Sequence, residues 1–348
     1  MPTSDGTCRF LSTAFVAVCL VGVAAAQQSP VYLNLPVPAG TASITFGVNS
    51  SGQVVGAFEA KTGGLTGGEQ LFVWQNGTTT LIGSPGNPIL WAAINNLGQV
   101  AFTLDRPITT YLWSKGTITP IGNFVVSSLN DQTEIAGCLE KLVGANGVRE
   151  SVIWNGGDPF FLKPTGGQTN LSCALGVNNL GQVAGAFYSF QGSPTGSGYL
   201  WDQGITTLLG SLGGSYSLAA AINDAGQVTG SAINANNAVE AFLWQNGSIQ
   251  GLGFPPGETF SSAVRIDPAG RILGNSSLPW VWQNGVFTTL DGGSCSIHSC
   301  ALPFATGIAD MGSGIIASGS CINPASGVKL AACIWNLPAT SKVVTGSR

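Results

Sequence analysis

The chain has a single histidine, His298, in 348 residues. That scarcity removes most catalytic and transition-metal constellations. A Ser-His-Asp triad would have to use His298. A zinc site would have to combine it with Cys295 and Cys300. Charge is equally sparse. Twelve basic and 16 acidic side chains make up 8% of the chain and leave a net charge of −4. No Lys/Arg cluster stands out, which argues against nucleic acid and against anionic membrane as partners. Helical periodicity is missing throughout. The apolar run Phe10–Val23 falls short of the roughly 20 residues of a membrane span.

What the chain has in quantity is glycine, 50 residues, set between short apolar runs. Ala219–Asn223, Gln227–Ala232, Ala241–Trp244 and Ser248–Leu252 read as four strands. Asp224-Ala225-Gly226 and Asn246-Gly247 are turns between them. Asn-Gly between apolar runs is a strong hairpin signal, because both central residues need φ > 0. The N-x-x-G-Q-V turn, or a relic of it, recurs seven times, starting at Val48, Ile94, Leu129, Val177, Ile222, Ile266 and Ile308. The last copy, Ile308–Ala317, carries extra length that reads as a bulge. A third-strand tryptophan recurs with it at Trp74, Trp113, Trp154, Trp201, Trp244, Trp282 and Trp335. Four strands in a repeat of roughly 40 to 50 residues are the mark of a propeller blade.

The expected fold is therefore all-β: a seven-bladed β-propeller of four-stranded blades. The tryptophans, each beside apolar residues, read as core. Trp335 is followed by Asn336-Leu337-Pro338 rather than by a hairpin turn. The seventh unit thus lacks its own fourth strand, and Val31–Leu35 is expected to close the ring by pairing with Ala332–Trp335.

Leu209–Gly230 and Ala241–Gly247 closely resemble the HAF-type extracellular repeat of bacterial secreted proteins. The family's His-Ala-Phe is Glu240-Ala241-Phe242 here, so its histidine is absent. The resemblance implies an exported repeat protein with a propeller fold. It brings no catalytic residues.

Residues 1–26 read as a signal peptide, with Arg9 in the n-region and Ala24-Ala25-Ala26 as the cleavage site. Residues 27–348 then form one domain in an oxidising compartment. Val16-Ala17-Val18 before Cys19 is a poor lipoprotein signal. Six cysteines remain, and the expected disulfides are Cys138–Cys173, Cys295–Cys300 and Cys321–Cys333. The Asn of each N-x-x-G turn reads as an Asx turn rather than a calcium ligand.

No catalytic residue, metal or cofactor is expected. The functional expectation is a secreted, monomeric, non-enzymatic module that binds a glycan, a surface polymer or a protein. A carbohydrate-active hydrolase or lyase is the alternative, and it would need converging carboxylates. Loops carry binding more often than strands do. The expected ligand face is therefore the one bearing the second-to-third and fourth-to-first strand loops, around Trp91, Asp105, Arg106, Tyr188 and Tyr216.

Overall fold

The computed structural model describes residues 31–33, 41–62, 65–83, 87–143, 146–162, 171–189, 195–290, 304–323 and 328–338. The signal segment, His298, Cys295 and Cys300 lie outside the described residues.

The described residues form an all-β propeller of 28 strands. Each repeat folds as an antiparallel meander in sequence order. The Asn-Gly turns supply the reversals: Asn246 and Gly247 have φ of 53° and 79°, as a type I′ turn requires. Hydrogen bonding groups the strands into five four-stranded sheets and one eight-stranded sheet. The expectation of separate four-stranded sheets is corrected at that point. Repeats 172–208 and 213–251 share one sheet, through a single parallel pair between Gly196 and Tyr216. A Cβ at Gly196 would lie 2.8 Å from the Tyr216 ring, so only glycine admits this approach.

Apolar clusters fill the spaces between successive sheets. Phe46, Val55 and Leu71 meet Ala92 and Phe102. Leu33, Val54 and Phe72 meet Ile316 and Ile334. These strands are covered on both faces, which is why they read as apolar runs rather than alternation. Trp244 and Trp335 are buried, and the other five repeat tryptophans are half-buried.

The last repeat differs in two ways. Its first hairpin continues to the Asp310–Ile315 pair, so the extra turn residues lengthen a hairpin instead of forming a bulge. Its outermost strand comes from the other end of the chain. Val31 pairs with Ile334 and Tyr32 with Cys333, and Leu33 N donates to Ala332 O at 3.1 Å. Disulfides join Cys138 to Cys173 and Cys321 to Cys333, with Cα separations of 5.0 and 6.1 Å. Bonds of this kind belong to an oxidising environment.

Candidate functional site: the axial cavity

The first strand of each repeat carries a β-bulge, and the strand 213–222 has a second register shift between Gly213 and Ser217. The register shifts fall between Thr45 and Gly47, Ile89 and Trp91, Val126 and Ser128, and Ala174 and Gly176. They fall again between Ala219 and Ala221, Ala263 and Arg265, and Ala305 and Gly307. A bulge leaves one residue unpaired and re-aims it. Six of these extra residues, Leu90, Ser127, Leu175, Ala220, Val264 and Thr306, line a common cavity of about 540 Å³. The first strands of six successive repeats thus enclose it. Its size is that of a small-molecule site.

The wall is mostly apolar, with Trp91, Val126 and Phe304 beside the bulge residues. Among the described residues, two cations interrupt it, Arg149 and Arg265, and no carboxylate lines it. Arg149 is exposed, and Arg265 is half-buried. Arg265 Nη1 donates to Val264 O at 2.8 Å. Burial pushes its guanidinium down from the ordinary value. The position is unusual within the chain. The residue just before the last apolar residue of the first strand is Gly47, Ala93, Ser128, Gly176, Ala221 or Gly307 in the other repeats. At two of these positions neighbouring backbones converge closely. A Cβ at Gly176 would lie 3.1 Å from Ala221 Cα, and one at Gly307 would lie 2.7 Å from Val48 N.

At the far ends of the same strands the Asn turns line a second recess, of about 220 Å³. Here the side chains are committed to structure. Asn178 is representative. Its Oδ1 accepts from Leu180 N at 3.0 Å and Gln182 N at 2.9 Å, which is the Asx turn. Its Nδ2 donates to Gln182 Oε1 at 2.8 Å and across to Asn223 O at 3.0 Å. The same crossing bond runs from Asn49 to Asn95, Asn95 to Asn130, Asn130 to Asn178 and Asn223 to Asp267. These bonds lace six repeats together. Asp267 cannot donate, and the chain compensates. Arg271 replaces the usual Gln and bridges Asp267 at 2.5 Å to Asp310 of the next repeat at 2.6 Å. Burial alone would lower the Arg271 guanidinium, but its bonds to the two carboxylates raise it overall. The backbone N–H of Gly312, then Arg271, hold Asp310 below the usual carboxylate value.

Of the residues expected on the ligand face, Trp91 lines the axial cavity, and the described side chains of Asp105, Arg106 and Tyr216 do not. It packs on Phe46 with ring centroids 5.6 Å apart. Asp105 and Arg106 form an ion pair of 3.1 Å between chain neighbours, with the arginine side chain 88% exposed. Tyr216 is half-buried, and burial raises its phenol. Tyr188 pairs through its backbone with Gly196, whose other neighbour is Tyr216. The backbones at the two tyrosine positions therefore flank Gly196 at the joint between sheets, and Tyr216 is not part of the cavity wall. The sequence reading missed Arg265. Its signal was available: one long cationic side chain at a position otherwise held by Gly, Ala or Ser.

No protein-family model and no curated protein matches the sequence. Solved structures do match in shape. The β-propeller domain of the Trilobed protease from Pyrococcus furiosus aligns with a TM-score of 0.59 at 9% identity, over 84% of this chain and 95% of that one. Virginiamycin B lyase from Staphylococcus aureus aligns with a TM-score of 0.53 at 12% identity, over 89% and 98%. A puromycin-hydrolyzing peptidase from Mycobacterium tuberculosis aligns with a TM-score of 0.54 at 11% identity, over 86% of this chain and 52% of that one. At such identities the likeness concerns the fold alone. It nonetheless corrects the expectation that the chain is not an enzyme. Propellers of this shape belong to a lyase and to peptidases, so the fold gives no ground for setting catalysis aside.

Proposed function

We propose that the chain is an exported propeller of the HAF-repeat type that binds a small ligand, or the end of a surface polymer, in its axial cavity. The observation that carries this reading is the convergence of six bulge residues on one cavity of about 540 Å³. A bulge re-aims the residue that it leaves unpaired, and here six of them line the same space. Two disulfides in the described residues support an oxidising destination.

The proposal includes a closed ring of seven repeats. Two observations support it. The eight-stranded sheet is held at its middle by one parallel pair, so its halves behave as two blades. The strand Val31–Tyr32 completes the last sheet, and Ala332 N donates to Ser43 Oγ of the first repeat at 2.8 Å.

A catalytic variant of this reading has a definite chemical form. The paired carboxylates of glycoside hydrolysis are not in the cavity wall among the described residues. What the wall offers is arginine, which steadies negative charge. The lyase likeness is of interest on that ground, and a reaction passing through an anion is the class to test.

The experiment is a small-molecule and glycan array on the chain from residue 27, followed by titration of each hit. Trp91→Ala should weaken a hit at least tenfold, and Asn246→Ala, in a turn at the other end of the blade, should leave it unchanged. A hit lost with Asn246→Ala and kept with Trp91→Ala would refute the axial assignment.

A further inference from the structure

We infer that Arg265 makes the axial cavity a receptor for a carboxylate carried on an apolar body. The inference rests on the cavity reading above and names the class of ligand. Three observations carry it.

The first is position. Arg265 stands where the other repeats have Gly, Ala or Ser. At Gly176 and Gly307, the equivalent positions of two other repeats, a Cβ would crowd the neighbouring backbone, whereas Arg265 lines the cavity. The second is that no counter-charge pairs with it among the described residues. A guanidinium has five N–H donors in a planar fork. Among the described residues, the one acceptor it meets is its neighbour's carbonyl, Val264 O. Arg271, six residues on, shows what the chain does when an arginine serves the fold: it is bridged to two carboxylates. The third is the wall itself. Leu90, Trp91, Leu175 and Phe304 give the same cavity wall its apolar surface. A desolvated guanidinium without a counter-ion is costly, and the planar fork matches a carboxylate in bidentate fashion. A ligand with a carboxylate at one end and an aromatic or aliphatic body satisfies both parts of the wall.

The test uses matched pairs of probes that differ only in charge: benzoate with benzamide, 4-phenylbutyrate with 4-phenylbutanamide, and 2-naphthoate with 2-naphthamide. Each is titrated by calorimetry into the chain from residue 27. Arg265→Met and Arg106→Met are the variants, the latter a control outside the cavity wall. The acid of at least one pair should bind tenfold or more tightly than its amide. Arg265→Met should abolish that preference and keep the amide's affinity, and Arg106→Met should change neither. Equal binding of acid and amide to the unmodified chain would overturn the inference and leave the cavity reading standing. Binding of no probe would overturn both. Thermal unfolding gives a second readout. An arginine retained for a ligand should leave the melting temperature of Arg265→Met equal to or above that of the parent. A large fall would assign Arg265 to structure and refute the inference.

Discussion

Asn178 offers the sharpest check on how successive repeats are held together. Asn178→Asp keeps the shape of the side chain and both bonds to Oδ1. It replaces the donor Nδ2 with an oxygen that faces Asn223 O at 3.0 Å and Gln182 Oε1 at 2.8 Å. Gln182 cannot turn its amide without cost, because its Nε2 already donates to Asp202 at 2.9 Å. Asn178 is 3% exposed. The loss of a buried inter-repeat hydrogen bond, together with a buried carboxylate facing two acceptors, should cost about 3 to 5 kcal/mol. At about 2 °C per kcal/mol for a domain of this size, the melting temperature should fall by roughly 6 to 10 °C. The chain contains its own remedy. Where Asp267 stands in the Asn position, Arg271 stands in the Gln position and reaches Asp310 of the next repeat. Asp224 occupies the place corresponding to Asp310 in the repeat that follows Asn178. Adding Gln182→Arg to Asn178→Asp should therefore restore at least half of the lost stability. The penalty of the single change should also shrink in acid, since the new carboxyl is favoured as a neutral donor in the folded state. Its folded pKa would lie above the unfolded value of about 3.9. The penalty is then full above the folded pKa and fades as pH falls through it. Differential scanning calorimetry of the parent, single and double variants at pH 4 and pH 7 measures all of this. A double variant as unstable as the single one would refute the reasoning.

Three further expectations follow from the same geometry. Removing Val31–Leu33 should destabilise the fold by several kcal/mol, against within about 0.5 for removing residues 345–348, because the first deletion strips a strand and the buried Leu33 from the last sheet. Equal melting temperatures for the two truncations would rule out ring closure by the N-terminal strand. Asp310 is held below its ordinary value, so its contribution to stability is present above the unfolded pKa and lost as pH falls through the folded one. Asp310→Asn should therefore be less stable than the parent at pH 7, with the difference vanishing in acid; a difference that grew in acid would contradict the assignment. The disulfides close sequence separations of 35 and 12 residues. The chain-entropy relation gives about 4 and about 3 kcal/mol respectively. Denaturant titration of Cys138→Ala/Cys173→Ala and Cys321→Ala/Cys333→Ala should show the larger loss for the first pair, and the reverse order would show that native packing, not loop closure, sets the cost.

The repeat was legible because its signals are local. Asn-Gly turns need φ > 0 wherever they occur, and strands covered on both sides read as apolar runs. The Asx role of Asn49, Asn95 and Asn178 was legible for the same reason, since the carboxamide caps backbone two and four residues on. The other half of that carboxamide was not. Its bond to the next repeat's carbonyl spans 46 residues from Asn49 to Asn95, and nothing in either segment announces it. The exchange of Asn and Gln for Asp267 and Arg271 was a visible trace of that bond, but it acquires meaning only once Asp310 is seen on the other side.

The functional surface divides in the same way. Aromatic and charged loop residues could be read off the sequence, and Trp91 was among them. Which of them share a space depends on where bulges fall in seven separate first strands, and a bulge is defined by register with a partner strand. Tertiary structure alone drew Leu90, Ser127, Leu175, Ala220, Val264 and Thr306 to one cavity, left Asp105 and Arg106 outside its wall, and set Arg265 into it. The sequence by itself determined the repeat, its strands and its turns, because each is fixed by residues within a few positions of one another. The cavity and its charge were decided by the fold, because they are made by residues that no local rule brings together.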